Sequence, residues 1–297
     1  MATIDPSILT HLSHMQPQLY WLDEDPLEPL PHPTLIGDAT TDVCIVGAGY
    51  TGLWTALLAK EQNPDREVVV LEQRETGAGA SGRNGGFCSY SLTHGFMNGY
   101  NRFKDEMAII EGMGRENLDG IEATIKRYGI DCNFEWNGEL RVAIEEWQME
   151  SMVEEARLRN SFGDNVELLT SEQTPARVKS PLYKGSLWDP DGTALVDPAR
   201  LVWGLERACI KLGVKIFENT HVQWLERTKE GMTVHTPYGS VYAQKVALAT
   251  NVFKSLIRSA HKYVIPVYDF QLVTEPLTPE QLESIGWKER EGLSDAG

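Results

Sequence analysis

The apolar and polar positions of the 297-residue chain fall into segments of different period. Val43-Cys44-Ile45-Val46 is an uninterrupted apolar run, and Val68-Val69-Val70-Leu71, flanked by Glu67 and Glu72, is a second. Continuous runs of this kind suit strands covered on both faces. Between them Leu53, Trp54, Leu57 and Leu58 recur at helical spacing. Met107, Ile110, Met113, Leu118, Ile121 and Ile125 predict a helix over Lys104 to Tyr128, and Glu145 to Asn160 reads as another. Cys132 to Trp136 and Glu139 to Ile144 alternate about Asn137-Gly138, which predicts a hairpin. Ser171 reads as the cap of a short helix, and Asp189-Pro190-Asp191-Gly192 as a turn. Leu201, Val202, Leu205, Ala208, Cys209 and Leu212 form one stripe, with Asp197-Pro198 as its start and Gly213 as its stop. Val214 to Phe217 reads as a short strand. Val222 to Glu226, Met232 to Thr236 and Ser240 to Leu248 read as a meander ending in a buried strand. Tyr263, Ile265, Val267, Tyr268, Phe270, Leu272 and Val273 predict a strand pair, and Thr278-Pro279-Glu280 starts a helix.

Two glycine clusters turn this pattern into chemistry. The first apolar run leads into Gly47-Ala48-Gly49-Tyr50-Thr51-Gly52, then a helix, then a strand ending on Glu72. That is the strand–turn–helix–strand unit that binds a dinucleotide. Gly47 serves the tight turn, Gly49 lets backbone approach a pyrophosphate, and Gly52 lets helix and strand pack closely. The helix start offers unpaired N–H groups to phosphate, and Glu72 suits ribose hydroxyls. The acid disfavours a 2′-phosphate and leaves NAD and FAD both open. The second cluster, Gly77-Ala78-Gly79-Ala80-Ser81-Gly82-Arg83-Asn84-Gly85-Gly86, exposes many N–H groups with little side-chain obstruction, and Arg83 adds a fixed positive charge. At the end of the last meander strand, Ala249-Thr250-Asn251 offers small residues for a ligand to approach.

The segments imply an α/β chain. Residues 1–40 hold six of the fifteen prolines and predict an extended N-terminal arm, with Tyr20-Trp21-Leu22 as an apolar anchor. Residues 41–99 and 191–258 read as the nucleotide-binding domain. Residues 100–190 and 259–297 read as an inserted α+β substrate domain.

Composition narrows the function classes. A net charge of −16 argues against nucleic acid as a partner. No apolar run reaches the length of a membrane span, and the first residues lack the pattern of a signal peptide. The four cysteines, Cys44, Cys88, Cys132 and Cys209, are scattered, which predicts reduced thiols in a cytoplasmic protein. The seven histidines do not cluster, and there is no nucleophile elbow, phosphate loop or zinc-protease motif; no metal is expected. A nicotinamide-dependent dehydrogenase and a non-catalytic dinucleotide-binding fragment remain the rival readings at this level.

Ile45 to Leu53, Val70-Leu71-Glu72 and Gly79 to Gly86 together resemble the FAD-dependent amine and D-amino-acid oxidoreductases, the group of glycine and sarcosine oxidases. Tyr20-Trp21 and Ala80-Ser81-Gly82-Arg83-Asn84-Gly85-Gly86 are most similar to the gamma-glutamylputrescine oxidoreductase branch. Asp197-Pro198, Val222, Ala249-Thr250-Asn251 and Thr274-Glu275-Pro276-Leu277 also look familial. The resemblance implies a Rossmann-like FAD-binding domain with an inserted substrate domain. It implies oxidation of the C–N bond of a small amine or amino acid, such as gamma-glutamylputrescine, by hydride transfer to flavin. It implies that Gly47, Ala48, Gly49, Tyr50, Thr51 and Gly52 bind the pyrophosphate, with Glu72 at the adenosine ribose and Arg74 on the adenine side. Ser81, Arg83, Asn84, Gly85 and Gly86 would line pyrophosphate and flavin. Val222 would meet adenine through its backbone, and Ala249 and Thr250 would pass close to the cofactor. Family members continue past this chain's last residue with a segment that returns to the flavin, so the substrate domain is expected to be incomplete.

Overall fold

The computed structural model describes residues 19–23, 30–253, 255–267 and 271–296. A single helical turn at Tyr20–Asp23 comes first. In chain order there follow β1 (Ala39–Val46), α1 (Tyr50–Gln62), β2 (Val68–Leu71), β3 (Phe87–Ser89), α2 (Phe96–Arg102), α3 (Met107–Tyr128), β4 (Glu139–Ala143), α4 (Glu146–Ser161), β5 (Glu167–Thr170), β6 (Gly185–Asp189), β7 (Thr193–Leu195), α5 (Pro198–Lys211), β8 (Lys215–Phe217), β9 (Trp224–Arg227), β10 (Met232–Thr236), β11 (Gly239–Leu248), α6 (Pro279–Ile285) and β12 (Gly292–Asp295).

The uninterrupted apolar run of β1 has its cause in a six-stranded sheet of order β8-β2-β1-β11-β10-β9. β1 is parallel to β2 on one side and to β11 on the other, with Val46 opposite both Leu71 and Leu248. β8 continues the parallel half beyond β2, while β9, β10 and β11 form the antiparallel meander. One face of the sheet packs on α1 and α5 through Ile45, Val68, Val70, Leu53, Leu57, Val202 and Leu205. The other face buries Leu35, Cys44, Val69, Leu71, Val222, Val234 and Val241. With apolar matter on both faces, alternation is lost and the strands read as solid runs.

A second sheet, order β12-β4-β6-β5, carries α4 on one face through Ala143, Met152, Ala156 and Leu187. A small β3–β7 ladder lies apart from both sheets. Several local signals act as predicted. Asp197 caps α5, its side chain accepting the Arg200 N–H at 3.0 Å. Gly213 follows α5 at φ +86°, and Thr278 caps α6 through a capping box with Gln281.

Three local expectations fail. Asn137-Gly138 does not join a hairpin: Glu135 bridges to Leu195, whereas β4 pairs with β6 and β12. Gly138 is needed for close approach, since at φ +68° a Cβ there would stand 2.5 Å from the Asp189 carbonyl oxygen. Ser171 is not a cap; the nearby single turn is a 3-10 turn at Thr174–Ala176, preceded by Gln173. The described residues of 261–275 contain no strand, and Ile265 and Val267 are each 84% exposed. The strand after α6 is β12, which adds to the second sheet parallel to β4. Most of the predicted arm, residues 1–18 and 24–29, lies outside the described residues, as do Tyr268 and Phe270.

Candidate functional site

The three central parallel strands end on one side of the sheet, where open α/β sheets bind ligands. Val46 ends β1, Leu71 ends β2 and Leu248 ends β11. The residues just beyond them enclose a cavity of about 1280 Å³. Pockets for drug-sized ligands span roughly 300–1,000 Å³, so this one is open to a larger molecule.

The first glycine turn is built by collisions that only glycine avoids. At φ +111°, a Cβ on Gly47 would lie 2.5 Å from the Ala249 carbonyl oxygen. One on Gly49 would lie 2.7 Å from Ser81 Oγ, and one on Gly52 would strike the Gly47 carbonyl oxygen. The backbone of β1, the start of α1 and the end of β11 therefore converge without intervening side chains. Gly49 is the N-cap of α1 and offers no side-chain acceptor. Instead the Tyr50 N–H donates to Ser81 Oγ at 2.9 Å, which links the two glycine clusters.

Glu72 faces the turn from the end of β2. Its carboxylate accepts the Ala48 N–H at 2.8 Å and the Arg74 N–H at 3.0 Å. Its own backbone N–H donates to Phe217 and its carbonyl accepts from Thr220, so the acid is held on both sides. The second cluster is organised by Asn84, whose side-chain amide donates to the Ala80 and Ser81 carbonyls and accepts the Gly86 N–H. Trp21 Nε1 donates to the Asn84 carbonyl at 3.0 Å and packs on the α1–α5 core, so it does anchor its segment to the body. Arg74 and Arg83 both donate to the Ala78 carbonyl, at 2.9 and 2.8 Å. Neither pairs with a carboxylate among the described residues, and partial burial together with the Arg74 charge lowers the pKa of Arg83.

Of the residues predicted for the site, Gly47, Gly49, Tyr50, Thr51, Glu72, Arg74, Ser81, Asn84, Val222, Ala249 and Thr250 line the cavity. Ala48 and Gly52 lie in the wall behind the turn. Arg83, Gly85 and Gly86 do not line it; Gly86 packs against the Val196 carbonyl instead. His221, Gln223, Trp224, Phe253, Arg258 and His261 also line it, outside the residues predicted for the site. His221, Gln223 and Trp224 sit beside Val222 and Phe253 just past Thr250, whereas Arg258 and His261 lie further along the chain; none of the six belongs to a motif. Trp224 stacks on His235 with ring centroids 4.5 Å apart, so the wall of the cavity is also part of the meander.

Residues 42–296 match the profile of the FAD dependent oxidoreductase family, DAO. The chain is 32% identical to the probable oxidoreductase OrdL of Haemophilus influenzae, over 82% of this chain and 58% of that one. It is 34% identical to the gamma-glutamylputrescine oxidoreductase of Escherichia coli, over 75% of this chain and 52% of that one. The fold matches the crystal structure of glycine oxidase from Geobacillus kaustophilus with a TM-score of 0.61 at 21% identity, covering 72% of this chain and 56% of the other. The chain thus spans between half and three-fifths of the length of these relatives. Family profile, sequence relatives and fold agree: the chain belongs to the DAO family of FAD-dependent oxidoreductases.

Proposed function

We propose that FAD occupies the cavity at the ends of β1, β2 and β11, and that the protein oxidises the C–N bond of an amine or amino acid. The observation that carries this reading is the side-chain-free cradle of Gly47, Gly49 and Ala249 facing the start of α1, with Glu72 beside it. Gly47 to Gly52 and the N-terminal turn of α1 hold the pyrophosphate, through N–H groups and the positive end of the helix dipole. Arg74, free of any carboxylate partner among the described residues, adds charge on that side. Glu72 orients the ribose through its carboxylate oxygens. Val222 and Trp224 wall the adenine end, and Ala249 and Thr250 allow close approach along the cofactor.

FAD supplies the hydride acceptor when it is bound. The chain's own part is to position that group and keep water from it. Hydride loss from the carbon next to nitrogen requires the neutral amine, which a dry site favours by disfavouring the ammonium. No acid–base side chain is assigned. The name of the Escherichia coli relative makes gamma-glutamylputrescine the first substrate to try. Four unpaired cysteines support a cytoplasmic setting, and among the described residues no helix is long and apolar enough to cross a membrane.

The test is a visible spectrum of the purified chain after reconstitution with FAD, followed by anaerobic addition of gamma-glutamylputrescine, glycine and sarcosine. Flavin absorption that bleaches with one of these amines is the expected result. A chain that stays colourless with excess FAD overturns the cofactor site. A coloured chain that no amine bleaches overturns the proposed reaction and leaves the FAD site standing.

A further inference from the structure

Behind the cavity wall, three segments far apart in sequence bring His32, Glu206 and Glu218 together. One imidazole nitrogen and one oxygen from each carboxylate all lie within 4.8 Å of one another. His32 comes from the segment before β1, Glu206 from α5, and Glu218 directly follows β8. Glu206 is fully buried, Glu218 is 4% exposed, and the His32 side chain is 10% exposed. His32 Nε2 stands 2.7 Å from Glu206 Oε1. Glu218 accepts the Thr76 N–H at 2.6 Å and the His32 N–H at 3.4 Å.

We propose that His32, Glu206 and Glu218 form a site for a divalent transition-metal ion of borderline softness, of which Zn²⁺ is the type. One observation besides the clustering points to a ligand. Glu206 Oε2 is sealed from solvent and has no hydrogen-bond partner among the described residues. Thr76 belongs to the cluster, since its N–H bonds to Glu218.

The charge balance supports the same conclusion. Two buried carboxylates face at most one imidazolium, and no Lys or Arg pairs with either of them among the described residues. With both carboxylates ionised, at least one negative charge in this buried region would lack a compensating cation, an arrangement that is costly. The donor set of one nitrogen and two carboxylate oxygens selects Zn²⁺ or Mn²⁺ over Ca²⁺ and Mg²⁺, which prefer oxygen alone. Ligand atoms about 2.0–2.2 Å from one ion lie roughly 3.3 Å apart in a tetrahedron, so the His32–Glu206 pair would open from 2.7 Å while the wider separations close. Such an ion would brace the adenosine side of the cavity: Thr220, which lines it, donates its hydroxyl to the Glu218 carbonyl and accepts the Leu35 N–H.

The ligands come singly from three elements, so no spacing motif announces them. This explains why the histidines read as unclustered.

The experiment strips the full chain with chelator and titrates Zn²⁺ alone by calorimetry, with metal content per chain read by mass spectrometry. Wild type is expected to bind one ion at this site. Glu206→Gln and His32→Gln are each expected to weaken that binding at least tenfold. His235→Gln, at an exposed His–Glu pair, is expected to leave it unchanged. Circular dichroism confirms that each variant is folded. Glu206→Gln removes a buried charge, so it decides the matter even if His32→Gln fails to fold. Absence of Zn²⁺ binding in wild type, or binding that Glu206→Gln leaves intact, overturns the proposal. Neither outcome touches the FAD site, which is read by absorption.

Discussion

The carbonyl oxygen of Gly47 fills the space that a side chain on Gly52 would occupy. The contact is backbone against backbone, so no rotamer relieves it. Gly52→Ala is expected to cost at least ~1–3 kcal/mol, the usual range for overpacking. The melting temperature would fall by roughly 2–4 °C for each kcal/mol, and FAD uptake would weaken with it. Gly112→Ala is the matched control. Gly112 lies inside α3 and a Cβ there meets nothing within 4 Å, so the helix gains about 0.5–1 kcal/mol. Thermal denaturation of the two variants should give shifts of opposite sign.

Glu72 tests whether carboxylate shape or charge matters. Glu72→Ala leaves the Ala48 N–H, at a buried residue, without its acceptor. The expected loss is about 1–3 kcal/mol. Glu72→Gln retains one acceptor oxygen and should recover most of the stability. Both substitutions should weaken FAD binding, because neither offers a second carboxylate oxygen to the ribose. Denaturant midpoints and flavin titrations of the pair separate the two effects, and equal stability loss in both variants would contradict the assignment.

Arg159 is buried among Asp164 Oδ2 at 2.6 Å, Asp189 Oδ2 at 2.5 Å and the Tyr90 hydroxyl at 3.1 Å. Arg115 also pairs with Asp164, whereas Asp189 has no other charged partner among the described residues. Arg159→Met keeps volume and strands the Asp189 carboxylate, so a loss of roughly 3–5 kcal/mol is expected. Urea unfolding reads it directly; a loss under 1 kcal/mol would show that the network carries little stability.

Burial raises the thiol of Cys88 to about 11 and those of Cys44, Cys132 and Cys209 to about 12. An acid whose pKa rises on folding favours the folded state at low pH. The contribution is complete below the ordinary thiol range near 8.5 and disappears as pH rises through 11 to 12. Stability should therefore decline with pH above about 8.5. At pH 8 only about one thiol in a thousand, or fewer, is ionised in the folded chain. A chromogenic disulfide reagent should react slowly with native protein and promptly with all four thiols in denaturant. Prompt stoichiometric reaction in the native state would refute the burial.

The features legible in the sequence are those fixed within a few residues or by both-face burial. Val43 to Gly52, the run to Glu72, and the Asp197 cap depend on local geometry and on the covering of a strand, and pattern records both. Asn137-Gly138 shows where this stops. The dipeptide carries the chemistry of a tight hairpin, yet its left-handed glycine is used to pass beneath the Asp189 carbonyl, and the partner of β4 is the distant β6. Local sequence cannot distinguish a glycine needed for a turn from one needed for close passage. Arg83 and Gly86 belong to a loop with the right composition, but its fold turns both toward protein carbonyls at Ala78 and Val196. Trp224 and His261 reach the cavity only because β11 brings their neighbourhood beside β1.

That pairing of β1 with β11 also sets an order of events during synthesis. The strands are complementary from Ala39–Val241 to Val46–Leu248, and Gly47 closes against Ala249. When β1, α1 and β2 have left the ribosome, the glycine turn still lacks one wall, and the open edge of β1 waits for a strand translated much later. At about 5–20 residues per second, that interval lasts on the order of ten seconds or more. With FAD held at that turn as proposed, cofactor capture would follow the pairing of β11 with β1.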